Sequence, residues 1–304
     1  MKSSIKSEKP LSQTKRIQKI RRNISGWVLI IPSIILFTVI VWRPIVIGIS
    51  YSFFNLKGFV PTSFAGLRNY IDVLSDTNFL KTLWNTVMYV FWSIVTGYPV
   101  AFICAVMLNE MLHAKSFVKI SLYLPAIIPS IAVAMIWKMI YLDGAGGLLN
   151  MIRMFFGGEP TVWLGKKNLV IPLIVVSMTW KGCGSTMILY LATMQGINQE
   201  LYDAARLDGA GFFGRIRYVL YPHMKGTLLL LLVQQMIGVF SITEQPLTMT
   251  GGGPNGASMS LGLTNYFYAF KYGQYSKSLS MGVITFLLLI SLTFVYNRLE
   301  KSID

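Results

Sequence analysis

Acidic residues are scarce in this chain. It has 12 Asp and Glu against 27 Lys and Arg in 304 residues, a net charge of +15. Charged residues of all kinds amount to 13%, where soluble domains carry about 25%. That shortage excludes an ordinary water-soluble domain. Cysteine is short too: Cys104 and Cys183 each lie inside an apolar run, which excludes a disulfide framework. The two histidines, His113 and His223, stand far apart, so no metal-ligand spacing exists and no metal is expected. No Ser/His/Asp set and no carboxylate pair suggests a membrane-embedded enzyme or a catalytic residue of any kind. The pattern G-x-x-x-x-G-K-[ST] occurs nowhere, so the expected chain holds no ATP of its own and binds no cofactor. Gly251, Gly253 and Gly256 match G-x-G-x-x-G, but no strand precedes them, and dinucleotide binding is not expected. Acids are missing from the interior of every apolar run, which counts against a secondary transporter driven by an ion gradient.

What is abundant is apolar length. Hydrophobic residues make up 54%, with mean hydropathy +0.56. Six runs approach or exceed the ~20 residues that cross a bilayer. They are Trp27–Ile49, Trp84–Leu108, Ile120–Leu142, Leu169–Met194, Pro222–Thr243 and Leu279–Asn297. The predicted fold is an all-α integral membrane protein with six transmembrane helices. Pro125 and Pro129 predict a break in the third, and Gly97 with Pro99 a kink in the second. Residues 51–82 read as an amphipathic connector, with Leu67, Tyr70, Ile71 and Leu74 at helical spacing. Residues 143–167 read as Gly-rich and irregular. Residues 1–25 form a basic segment, read either as a helix on the inner leaflet or as a solvated tail. Residues 26–304 form one transmembrane domain.

Six spans put both termini on one side. Segments 1–25, 109–119, 195–225 and 298–304 hold 16 Lys and Arg, against 9 on the opposite loops. The positive-inside rule therefore places both termini, and the loop between the fourth and fifth runs, in the cytoplasm of a cell-membrane protein. The same distribution explains the net positive charge through lipid and topology, not through nucleic acid.

That loop is the most polar stretch between two membrane-length runs. Asn198 is a predicted N-cap, with Glu200 and Asp203 near the positive end of the helix dipole. Leu201, Ala204, Ala205 and Asp208 share a face. Gly209 ends the helix, because Gly reaches φ > 0 without a Cβ clash. A second amphipathic segment carries Phe212, Ile216, Val219 and Leu220 on one side, and Pro222 is expected to close it.

Three stretches carry a resemblance. Asp203-Ala204-Ala205, Asp208-Gly209-Ala210 and Val219-Leu220-Tyr221-Pro222 are similar to the coupling loop of permease subunits of ATP-binding-cassette importers, with Asp203 where Glu is usual. Phe64 to Tyr70 and Thr250 to Pro254 resemble the carbohydrate-uptake branch of that family. The resemblance implies a subunit without its own nucleotide site. It implies a second homologous permease, two ATP-binding subunits that carry ATP and Mg, and an extracytoplasmic solute-binding protein. Residues 199–222 would then be the loop through which ATP hydrolysis drives alternating access. The cargo implied is a carbohydrate, with a non-sugar solute as the alternative.

The expected substrate pathway rests on membrane depth. Lys181 lies about thirteen residues into the fourth run, ~20 Å along a helix. A lysine at that depth needs a partner or a water-filled cavity. Ser177, Gly184, Ser185 and Ile188 share its face, with Gly182 beside it. In the fifth run Gln234, Gly238, Ser241 and Gln245 form a stripe, with Gln235 adjacent. Two readings stand for these stripes: a polar pathway, or small and amide residues that merely pack helices together. Resemblance to the sugar branch maps its contacts onto Lys181, Gly182, Ser185, Gln235, Gly238, Val239 and Ile242; Ser185, Gly238, Val239 and Ile242 differ from that branch, and the alternative is a sugar site held by the partner permease. Trp137, Trp180, Tyr190 and Tyr266–Tyr268 read either as rings that stack on sugar or as interfacial belt residues.

Overall fold

A computed structural model describes residues 26–111 and 113–300; the basic segment 1–25 lies outside the described residues. Five helices are long and apolar enough to cross a membrane: α1 (Gly26–Tyr51), α3 (Phe79–Glu110), α7 (Lys167–Gln195), α9 (Phe212–Phe240) and α12 (Tyr275–Glu300). A sixth candidate is the pair α4 (Lys115–Ile127) and α5 (Ser130–Ile140), bent by 100° between Ile127 and Ser130. The break falls where the prolines place it. Pro129 lacks an N–H and pushes Ile128 into extended backbone, so α4 cannot continue.

Three other prolines do not break their helices. Pro44, Pro99 and Pro222 each follow one residue after a π-type bond, Arg43 to Thr38, Tyr98 to Ser93 and Tyr221 to Ile216. A proline ring clashes with the carbonyl four residues back, and widening the preceding turn to an i→i−5 bond relieves that clash. This corrects the expectation for Pro222. It does not close the second segment of the loop: α9 runs unbroken from Phe212 through Pro222 into the membrane-length run. The real break is the turn at Asp208–Gly211.

α7 is the central helix. Its N-terminal half, with Val170, Ile171 and Ile174, packs with Tyr89 of α3, Tyr141 beyond α5 and Val239 of α9. Its C-terminal half, with Met187, Tyr190 and Met194, packs with Ala101 and Ala105 of α3 and Met224 and Leu231 of α9. Tyr190 is buried in this second core, with Phe102 edge-on at 5.5 Å. Close approach requires small residues. A Cβ on Gly184 would lie 2.2 Å from the Leu122 carbonyl oxygen and 2.6 Å from Tyr123 Cα of α4. Gly184 is thus a packing residue of the kind membrane helices use in place of a hydrophobic driving force. Ser177, also predicted on the Lys181 face, is buried and donates to the Ile174 carbonyl at 2.6 Å.

The connectors are more ordered than their composition suggests. Residues 51–82 contain a hairpin, β1 (Phe54–Lys57) antiparallel to β2 (Val60–Phe64), before helix α2 (Arg68–Leu74). α2 turns its apolar stripe outward: Leu67, Ile71 and Leu74 are exposed, while Asn69 and Val73 face in. An interfacial helix presents its stripe to lipid in this way. Residues 143–167, expected to be irregular, contain helix α6 (Leu148–Phe155). Three buried asparagines hold these segments. Asn69 donates to the Ser52 and Phe54 carbonyls, both at 3.0 Å. Asn85 donates to the Gly256 and Met259 carbonyls and fixes a different loop, residues 251–260. Asn150 donates to Leu142, Gly144 and Thr161 and accepts from Trp163 Nε1 at 2.9 Å.

Gly184→Ala is expected to destabilise the purified protein by about 1–3 kcal/mol, because its methyl meets backbone. Gly226→Ala, with open space around it, serves as the control. Thermal unfolding in detergent reads the difference; equal melting temperatures would contradict the packing role.

Candidate functional site

The stripe predicted on α9 and part of the one predicted on α7 face one cavity of about 650 Å³; Ser177, Gly184 and Ile188 do not line it. α7 supplies Lys181, Gly182 and Ser185; α9 supplies Gln234, Gln235 and Gly238. Ser241 and Gln245 complete the α9 stripe at the same wall. The broken helix closes the cavity with Ala126 and Ser130, and the start of helix α10 (Glu244–Thr250) adds Glu244. The turn 241–243 that presents Glu244 is seated on Gly262, where a Cβ would lie 2.7 Å from the Ser241 and Ile242 carbonyls. Ser260 holds the same turn by donating to the Ile242 carbonyl at 2.5 Å. Gly97, in the π-type turn of α3, allows Gln235 Nε2 to come within 3.3 Å of its Cβ direction.

Lys181 has a partner. Its Nζ donates to the Ile128 carbonyl at 2.8 Å and the Ala126 carbonyl at 3.2 Å. These are carbonyls at the C-terminal end of α4, where a helix carries partial negative charge and leaves acceptors without intrahelical donors. The lysine therefore caps the broken helix from the neighbouring span while its side chain borders the cavity. Sequence reasoning found the lysine and the break separately; nothing in spacing along one chain joined residues 126–128 to 181. Glu244 and Ser130 were missed as cavity residues. Their signal was position: a polar residue directly beyond a membrane run, and one directly beyond Pro129.

Among the described residues no aromatic ring lines the cavity. Trp137 and Trp180 pack on each other, with centroids 6.0 Å apart and rings at 71°. Tyr268 donates to Asp76 at 2.8 Å. These rings are engaged in packing and hydrogen bonding within the fold, not in the cavity wall.

The polar loop is a second candidate site. α8 (Gln199–Leu207) starts at Asn198, whose Oδ1 accepts from the Glu200 N–H at 3.1 Å. It ends at Gly209 with φ +78°, where Ala210 N–H reaches the Ala205 carbonyl at 2.8 Å and Gly209 N–H reaches Arg206 at 3.0 Å. That pair of bonds is the Schellman termination. Asp203 lies 3.1 Å from Arg206, both well exposed, a pair worth at most about 1 kcal/mol. Ala204 and Asp208 are exposed, Ala205 and Ala210 half-buried, and Pro222 exposed in the first turns of α9. Leu207 is 90% and Phe213 82% exposed, flanking the turn. Tyr202 alone faces inward from α8.

Membrane-length helices around a polar cavity, with one broken span and one structured polar loop, define a polytopic helical membrane protein. Among the described residues no group of three or more His, Cys, Asp or Glu gathers as a metal site. Residues 97–304 match the binding-protein-dependent transport system inner membrane component family, and the chain belongs to it: it is a permease subunit of an ATP-binding-cassette importer. The trehalose/maltose transport system permease protein of Thermococcus litoralis is 31% identical over 91% of this chain and 93% of its own length. The multiple sugar-binding transport system permease protein of Streptococcus mutans is 27% identical over 95% of this chain and 99% of its own. In fold, the chain is similar to a subunit of a bacterial alginate importer solved with an alginate-pentasaccharide-bound periplasmic protein. The TM-score is 0.82, over 94% of this chain and 97% of that one, at 21% identity.

Lys181→Met is expected to lower the melting temperature by the equivalent of about 1.5–3 kcal/mol, the range for hydrogen bonds to a charged group. Lys181→Gln, which keeps an N–H donor, is expected to recover part of that loss. The effect should be present without solute. A Met variant as stable as the parent would remove the capping role.

Proposed function

We propose that this chain is the transmembrane permease subunit of an ATP-driven importer that moves a carbohydrate across the cytoplasmic membrane by alternating access. The observation that carries the reading is the cavity. It is walled by amide, hydroxyl and charged groups, between two spans and a broken helix. A hydroxyl-rich solute needs this kind of wall, since every hydrogen bond to water given up inside the bilayer must be replaced. The saccharide cargoes named for the relatives support carbohydrate over another solute. Lys181, Gly182, Ser185, Gln234, Gln235 and Gly238 are the proposed pathway residues.

The loop 199–222 is proposed as the joint to the ATPase. Asp203, Ala204, Ala205, Asp208, Gly209, Ala210 and Pro222 build it. The exposed apolar groups at its turn, Leu207 and Phe213, are unexplained in an isolated chain and suit a protein partner. ATP and Mg then belong to two partner subunits, and this chain carries no cofactor. A second homologous permease and an external solute-binding protein complete the proposed assembly. Both termini and the loop face the cytoplasm in this reading.

In the reconstituted importer, Gly209→Asp is expected to reduce ATP-driven sugar uptake by about tenfold or more while the protein still reaches the membrane. Its φ of +78° strains any L-residue, and the added charge sits on the docking face. Uptake at parental rate would remove the loop from the coupling step. Uptake that follows an imposed ion gradient without ATP would instead restore the secondary-transporter reading.

A further inference from the structure

Glu110 is the last residue of α3, and Arg215 lies in the first turn of α9. Each carries the wrong charge for its place. The C-terminal end of a helix is partially negative and disfavours a carboxylate; the N-terminal end is partially positive and disfavours a guanidinium. The structure reconciles both at once, because Arg215 Nη2 lies 3.0 Å from Glu110 Oε2. Two ion pairs occur among the described residues. Asp203–Arg206 is local and well exposed, whereas Glu110–Arg215 joins positions 105 residues apart and leaves the arginine side chain only 18% exposed.

Tyr202, the inward-facing residue of α8, is buried beside this pair. Burial raises its pKa, with Glu110 adding to the rise and Arg215 opposing it, so its ring lies within electrostatic reach of both charges. α8 itself packs on the first turns of α9, where Arg215 stands. From Glu110, α3 runs helically back to the turn at Ser93–Gly97, and Gly97 meets Thr179 of α7 and Gln235 of the cavity wall. A contiguous set of packed elements thus joins the polar loop to the cavity. The only ion pair between different elements of it among the described residues is Glu110–Arg215.

We propose that Glu110 and Arg215 are positioning residues that lock the start of α9, and with it the loop 199–222, to the end of α3, so that movement of the loop is delivered to α3, whose Gly97 meets Gln235 of the cavity wall. This rests on the reading that the loop docks on the ATPase. A bidentate-capable guanidinium suits a lock better than an ammonium, because its planar fork fixes direction as well as charge.

The test is a charge-swap cycle in the complete importer, reconstituted in vesicles, with solute uptake and ATP hydrolysis measured together. Glu110→Gln and Arg215→Glu are each expected to lower uptake per ATP hydrolysed by about tenfold, within the range of coupling energies between contacting residues. Both should still co-purify with the ATPase chains. The double swap, Glu110→Arg with Arg215→Glu, is expected to restore uptake per ATP to within about threefold, and it places each charge at the helix end that favours it. Its melting temperature should therefore equal or exceed the parent's. Single variants that keep parental coupling, or a swap no better than the singles, would overturn the lock. Failure of the underlying docking reading has a different signature: Gly209→Asp would then also leave uptake unchanged.

Discussion

Every backbone N–H and C=O inside a bilayer must find its partner within the protein, since no water is present to supply one. The architecture follows from how this chain meets that requirement at its prolines. At Pro44, Pro99 and Pro222 the preceding turn widens and the helix continues. At Pro129 it does not. There the chain turns by 100°, and the exposed carbonyls of Ala126 and Ile128 are taken up by Lys181 from a different helix. One ammonium therefore stabilises a break that would otherwise cost several kcal/mol in unpaired acceptors. The break in turn gives the cavity its third wall. A lysine in the membrane, a bent helix and a polar cavity are parts of one solution.

The same economy governs the loop beyond the bilayer. Its helix is short, capped by Asn198 at one end and by Gly209 at the other, and turned so that Tyr202 faces in while Leu207 faces out. A helix of this length is marginal alone in water, so it depends on packing against α9 for its position. α9 is anchored in both hydrophobic clusters through Met224, Leu231 and Val239. A loop attached to such a helix moves with the core, as the proposed joint to an ATPase requires.

Much of this was legible from residue order. The membrane runs, the break at Pro125–Pro129, the N-cap at Asn198 and the stop at Gly209 depend on local chemistry, and local chemistry is written in sequence. The two stripes were visible as well, because helical period fixes which residues share a face. The illegible parts share one property: they depend on contacts between distant residues. Pro222 looked like a boundary, yet the π-type turn absorbs it. The connector 51–82 looked wholly amphipathic, yet Asn69 reverses which side of α2 faces in. Glu110 and Arg215 each look misplaced on their own helices and make sense only across 105 residues of chain.

The sequence by itself determined the class of this protein. Scarce charge and membrane-length apolar runs leave little other than a polytopic helical membrane protein, because hydropathy acts over neighbouring residues; the Ala-Ala and Asp-Gly-Ala pattern adds the resemblance to importer permeases. Tertiary structure alone decided which polar groups face solvent-accessible space and which are spent on the backbone. Ser177 and Gly184 share a helix face with Lys181, yet they pack against protein while Ser185 borders the cavity. The reason is geometric: a helix face is a stripe, but a cavity wall exists only where the neighbouring helix bends away.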